Sequence, residues 1–357
     1  MTSLLDGYRI GELRLPNRVV MAPMTRARAT ADGLATPSMA TYYARRATAG
    51  LIVSEGVAPN HQGQSNPRTP GLRTEAEVAS WRPVTAAVHA NGGRIFAQLM
   101  HGGRVGHVSV AGHRPVAPSA VTLPADVFTP DGMRPASAPR ALATAEVAVE
   151  AAAYGAAARR AVDAGFDGVE LHGANGYLIQ QFLSSNANLR TDRYGGTVAG
   201  RLRFAVEAVE ACVDAIGAAR VGIRLSPGGR VWDMVEDDAP GLYAALFEAL
   251  APLGLAYVHL LAPEGDDELL PALRKAWPGT LIVNPGGQIG PRETDLAAGE
   301  RWLAAGADLI GFGRAFLANP DLVERFRTGA PLRPTPDRAS WYSGGDAGYL
   351  DHPGPQH

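Results

Sequence analysis

Short apolar runs alternate with stretches of helical spacing along almost the whole chain. Two three-residue segments, Tyr8-Arg9-Ile10 and Leu13-Arg14-Leu15, flank Gly11-Glu12 and predict a tight hairpin with glycine first in the turn. Apolar runs then fall at residues 18–21, 51–57, 94–99, 168–171, 221–225, 256–261, 281–283 and 309–312. Between and after them, helical spacing covers 38–49, 75–91, 145–164, 198–216, 240–253, 268–276 and 292–305, with a last helix from Pro320. Eight strands alternating with helices predict a closed parallel (β/α)8 barrel, the TIM barrel of the α/β class. An open doubly wound sheet would want a glycine-rich dinucleotide turn after strand one, and none is present. The rhythm breaks once. Residues 102–139 are rich in proline and glycine, without a sustained period, and too long for an ordinary connection. They read as a lid-like insertion in a single domain over 1–357, with an irregular tail at 331–357.

In such a barrel the chemistry gathers at the carboxyl ends of the strands. There the chain carries Thr25, Gln98, His172, Arg224, Asn284 and Arg314. The densest stretch is Gly168-Val169-Glu170-Leu171-His172-Gly173-Ala174-Asn175-Gly176-Tyr177. His172 and Asn175 are three apart, so a tight turn aims two neutral donors at one point, which suits a carbonyl or nitro oxygen gaining negative charge. Tyr177, protonated at neutral pH, can deliver a proton nearby. The competing reading is that the first two cap a turn and the tyrosine packs. Arg224 sits in an apolar strand and needs an anionic or polar partner, either a ligand or a barrel carboxylate such as Glu170. Gly286 and Gly287 after strand seven, with Gly313 and Arg314 after strand eight, stand where these barrels hold a phosphate, although ordinary tight turns use glycine too.

Composition narrows the ligand. With 357 residues, 46% hydrophobic, 19% charged and a net charge of -2, the chain shows no basic footprint for nucleic acid. No apolar run reaches membrane-spanning length, and the first residues lack a secretory signal, so the cytoplasm is expected. The single cysteine, Cys212, lies in a helical stretch among alanines and valines and reads as inert core. No lysine stands at a strand end, which disfavours pyridoxal phosphate and a Schiff-base aldolase and favours flavin mononucleotide, FMN. No acidic or histidine cluster has metal-ligand spacing; His101 and His107 read as isolated loop residues.

The chain resembles the old yellow enzyme family of flavin-dependent ene-reductases from Leu13 to Pro353. The resemblance is carried by Leu15-Pro16-Asn17-Arg18, Ala22-Pro23-Met24-Thr25-Arg26, Gln98-Leu99-Met100-His101-Gly102-Gly103-Arg104, the His172–Tyr177 stretch, Asn188-Leu189-Arg190-Thr191-Asp192, Tyr194-Gly195-Gly196, Arg224-Leu225-Ser226-Pro227, Gly311-Phe312-Gly313-Arg314 and Asn319-Pro320-Asp321-Leu322. It implies that Pro23, Met24 and Thr25 line the isoalloxazine, with Thr25 tuning its potential at O4. Gly56 would admit the ring, Gln98 would bond its pyrimidine edge, and Arg224 would lie by N1 and O2. Gly286, Gly287, Gly313 and Arg314 would hold the phosphate. It implies hydride transfer from NADPH or NADH to flavin N5 and then to the β-carbon of an unsaturated carbonyl or nitro compound. His172 and Asn175 would hold the substrate oxygen, and Tyr177 would protonate the α-carbon. Tyr349, in the tail, would reach over the substrate. Met100 stands where many relatives carry a tryptophan, which implies a roomier pocket.

The same site would serve nitrate esters or nitroaromatics. A barrel that only binds a phosphorylated ligand, or a lyase, is the alternative of another class. A dienoyl-CoA reductase with an iron–sulfur domain is disfavoured, since one cysteine holds no cluster. The expected partners are small electron-poor alkenes, the expected state a monomer or homodimer.

Overall fold

In the computed structural model, which describes residues 2–262, 269–285, 294–343 and 345–355, the apolar runs become strands β1 (Val19–Met21), β2 (Leu51–Val57), β3 (Ile95–Leu99), β4 (Gly168–Gly173), β5 (Val221–Leu225), β6 (Tyr257–Leu261), β7 (Leu281–Asn284) and β8 (Leu309–Phe312). They pair in parallel in chain order, and β8 closes onto β1. Helices α1 (Pro37–Ala44), α2 (Glu75–Ala90), α3 (Thr144–Asp163), α4 (Val198–Ile216), α5 (Ala239–Leu250), α6 (Leu269–Ala276), α7 (Leu296–Ala304) and α8 (Leu322–Thr328) follow the strands in turn. The chain is a TIM barrel, with the predicted hairpin at its start and the insertion after β3. Helix α1 stops at Ala44, short of the predicted residue 49, because turns closed by Arg46 N–H to Tyr43 O and Ala49 N–H to Arg46 O feed the chain into β2.

Side chains alternate across a strand, so every second residue of each run points into the barrel. At the lower level these are Val20, Leu51, Val53, Phe96, Tyr257, Ile282 and Leu309, all buried together with Ile10 and Leu15 of the N-terminal hairpin, which seals that end. Gly168 and Gly222 leave room for two rings: a Cβ on either would lie within 2.6 Å of Phe96 or Tyr257 carbons. Two residues further along the same strands come Gln98, Glu170, Arg224, His259 and Asn284. The sequence alternation thus turns an apolar plug into a polar layer facing the open end.

The insertion is more ordered than its composition predicts. It contains a short helix, Val108–Ala111, and an antiparallel hairpin of Asp126–Thr129 with Gly132–Pro135. Four-residue strands, one with two buried side chains and the other exposed throughout, are too short to register as a period. Their buried Val127, with Val105, Leu123 and Ala136, forms a small cluster against Tyr177 and Trp232, and so the insertion packs over the end of β4.

Candidate active site

The turn after β4 is pinned from below. Asn175 and Gly176 both have left-handed backbones, at φ 57° and 77°. Asn175 N–H donates to Ser226 Oγ at 3.1 Å, and Gly176 N–H donates to Gln180 Oε1 at 2.7 Å. At Gly176 a Cβ would sit 2.6 Å from Val231 O, so only glycine fits. This turn sets the His172 and Tyr177 rings 5.0 Å apart. His172 Nδ1 is buried without a hydrogen-bond partner, and the Asn175 carboxamide makes no hydrogen bond among the described residues. Burial, then the neighbouring Arg224 charge, lowers the His172 pKa to about 3, against the opposing pull of Glu170. The imidazole is therefore neutral at working pH. Burial pushes the Tyr177 phenol up to about 12, with Tyr342 adding to the rise and donors on Asn66 and Trp232 opposing it. It is a phenol, not a phenolate.

Arg224 is paired with His172 in the β4–β5 register and is 4% exposed. Its Nη2 donates to Asn284 Oδ1 at 2.7 Å and its Nη1 meets His259, while its buried Nε has no partner. The suspected carboxylate, Glu170, does hold Arg224, but through His259, whose Nδ1 lies 2.8 Å from Glu170 Oε2. Gln98 Nε2 donates to Glu170 Oε1 at 2.8 Å. On the opposite wall Pro23, Met24 and Thr25 follow β1, half-buried, and Met24 Sδ lies 3.6 Å from where a Gly313 Cβ would be. Gly313 and Arg314 lead into the one-turn helix Ala315–Ala318. Gly286 and Gly287 lie outside the described residues.

Two readings of the sequence change, and Gly56 gains a protein neighbour. The crowding at Gly56 comes from Met100, whose Sδ would lie 2.6 Å from a Cβ there; that glycine makes room for a thioether. His101 is no isolated loop residue: it is fully buried, with Nε2 3.3 Å from Glu150 Oε2 of α3 and Nδ1 accepting from Gly103 N–H. His107 does cap a loop helix, accepting from Ser109 N–H. Tyr349 does not reach over the pocket. It is buried, stacked 4.1 Å from Tyr42 of α1, because Arg26 and Arg28 hold the tail around it. The tail tyrosine whose charge bears on the Tyr177 phenol is Tyr342, whose ring lies 5.6 Å from Phe128 of the insertion hairpin. His259, Trp232 and Asn66 went unnoticed. Counting alternate positions from Tyr257 would have put His259 inside the barrel at the level of Arg224, whereas no local pattern marks the other two.

Residues 3–333 match the model of the NADH:flavin oxidoreductase / NADH oxidase family. The chain belongs to this family. It is an NAD(P)H-dependent FMN oxidoreductase of the old yellow enzyme type. It is 41% identical to the putative 12-oxophytodienoate reductase 12 of Oryza sativa subsp. japonica, over 98% of this chain and 88% of that protein. Among solved structures, an old yellow enzyme homologue from Zymomonas mobilis superposes with a TM-score of 0.93 at 39% identity, covering 98% of this chain and 99% of the other. Morphinone reductase in complex with tetrahydroNAD gives 0.91 at 41%, covering 99% and 98%.

The residues at the top of this oxidoreductase's barrel fit a flavin. Arg224 offers a buried cation with an unpartnered Nε, and Gln98 keeps its Oε1 free of protein donors among the described residues. A guanidinium complements the negative charge that reduced flavin carries at N1 and O2, and a carboxamide oxygen accepts from a pyrimidine N–H. Among the described residues no helix is long and apolar enough to cross a membrane.

Proposed function

We propose that this oxidoreductase is an ene-reductase acting on α,β-unsaturated carbonyl and nitro compounds. The observation that carries the reading is the neutral, buried His172 with its unpartnered Nδ1, 5.0 Å from a fully protonated Tyr177. When bound, FMN supplies hydride relay from NADPH or NADH to an electron-poor carbon. The protein's own residues do the rest. His172 and Asn175 hold the substrate oxygen and draw electron density from the conjugated C=C. Tyr177 holds the proton destined for the α-carbon, and the Asn66 and Trp232 donors stabilise the phenolate left behind. Pro23, Met24 and Thr25 would line the ring edge, Gln98 its pyrimidine side and Arg224 N1 and O2. Gly313 and Arg314, with Gly286 and Gly287, would take the phosphate. Met100, Trp232 and Tyr342 wall the substrate space, and the insertion serves as its lid. Relatives named as 12-oxophytodienoate and morphinone reductases support a ketone substrate.

The test is anaerobic. The holoprotein's flavin absorbance bleaches with NADPH or NADH, and a panel of enones, maleimides, nitroalkenes, nitrate esters and nitroaromatics is then offered. Fast return of colour with the alkenes, with saturated products, is the expected result. Return only with nitrate esters and nitroaromatics would replace alkene reduction by nitro-group chemistry at the same donor pair. A protein that binds no FMN would end the reading.

A further inference from the structure

The polar layer beneath His172 contains two residues to which the flavin and substrate roles above give no part. Glu170 and His259 are completely buried. His259 stands between two groups: Glu170 Oε2 at 2.8 Å from its Nδ1, and Arg224 Nη1, which lies nearest its Nε2 and 3.1 Å from its Nδ1. Arginine can only donate, so the nearer nitrogen, Nε2, is the one suited to accept from it, which leaves the proton on Nδ1, where the carboxylate accepts it. A neutral imidazole fits this arrangement, and burial, then the Arg224 charge, lowers the His259 pKa to about 4. The same carboxylate accepts from Gln98 Nε2, so one buried anion reaches both Gln98 and Arg224.

We propose that Glu170 and His259 form a positioning unit for the flavin's pyrimidine edge. Glu170 fixes His259 as the Nδ1–H tautomer, His259 then holds Arg224 in place, and Glu170 holds Gln98 directly. The anion also offsets the guanidinium charge through the ring, so the barrel interior presents a directed guanidinium within a unit whose net charge is close to zero. Without the carboxylate, His259 is free to carry its proton on Nε2 and present a donor to a donor. This inference rests on the reading of Arg224 and Gln98 as flavin-edge residues.

The test measures FMN dissociation constants of the apoprotein, by flavin fluorescence, and midpoint potentials of the holoprotein. The variants are Glu170→Gln, His259→Leu, their double, His259→Gln and, as reference, Arg224→Met. Glu170→Gln and His259→Leu should each weaken FMN binding about tenfold or more and move the midpoint potential. The double variant should bind no worse than the weaker single, because each residue works through the other. His259→Gln, with an acceptor and a donor on one carboxamide, should recover most of the affinity. Wild-type binding and potential in both single variants, with Arg224→Met impaired, would overturn the positioning unit alone. So would losses that simply add in the double. Should Arg224→Met bind FMN normally, the flavin-edge assignment falls and this inference with it. If His259→Leu does not fold, the near-isosteric Glu170→Gln decides by the same two readouts.

Discussion

Tyr177 and His172 show how a barrel end converts ordinary side chains into a matched pair. Both are shifted by burial in the direction of their neutral forms, the imidazole down and the phenol up. A neutral imidazole can donate without repelling Arg224, and a phenol that resists ionisation keeps its proton until a carbanion forms nearby. Tyr177→Phe removes that proton and keeps the ring packing against His172 and Trp232. Reoxidation by an enone should slow by about a hundredfold or more, while flavin reduction by NADPH changes little. Stopped-flow traces with equal losses in both half-reactions would argue for a packing role instead. The His172, Asn175 and Tyr177 trio was legible because a turn compresses it into six residues. His259 was not, since its partners are 35 and 89 positions away and meet it only through strand register. The tail tyrosine went wrong for a related reason: Trp341-Tyr342 and Tyr349 are equally aromatic in sequence, and only the arginines decide which one turns inward.

At the scale of elements, the first β/α loop and the tail act as one piece. Arg28 donates to the carbonyls of Ser340, Trp341, Ser343, Gly345 and Ala347, and Arg26 donates to those of Trp341 and Gly348. Arg45 of the α1 end adds Leu350 and His352. A guanidinium presents five N–H donors in a fixed fork, which makes it suited to gathering carbonyls from an irregular segment. The tail needs such a clamp because residues 331–337 form neither helix nor strand and, among its described residues, a one-turn 3-10 helix, Arg338–Ser340, is the only regular element. The clamp starts beside Thr25 and holds the segment that carries Tyr342, so under the proposed function one loop would shape both the flavin's ring edge and the substrate wall. Arg28→Ala should leave those carbonyls unpaired, lower the melting temperature and let trypsin cut after the exposed Arg338 faster, with the flavin still bound. Unchanged cleavage rates would mean that the tail is held by its aromatic contacts alone. None of this clamp could be read beforehand: buried arginines and exposed ones look alike in a sequence, and their partners here are backbone atoms.

For the molecule as a whole, the strand and helix count came through because each β/α unit repeats the same alternation and burial on both strand faces enforces it. Where repetition stopped, as in residues 102–139, the fold became illegible. Closing the barrel also joins the two ends of the chain, and the seam traps a carboxylate. Glu55 of β2 is fully buried beneath α1 and the tail; Tyr43 Oη donates to its Oε1 at 3.3 Å, and its Oε2 has no hydrogen-bond partner. Burial raises its pKa to about 7, with Arg26, then Tyr43 and Arg28, pulling the other way. The folded state therefore holds a proton that the unfolded chain, with an ordinary glutamate near 4.3, gives up earlier. Stability from this group is complete below the unfolded value and falls as pH rises through the folded one, by on the order of 3 kcal/mol in total. Glu55→Gln is neutral at every pH and escapes that loss. The difference in melting temperature, Glu55→Gln minus wild type, should grow between pH 5 and pH 8, and subtraction cancels every other titrating group that the substitution leaves alone. A difference that stays flat across that range would mean that Arg26 and Arg28 hold Glu55 ionised throughout, making the seam an ion-pair network and the carboxylate charge part of what binds the tail to the barrel.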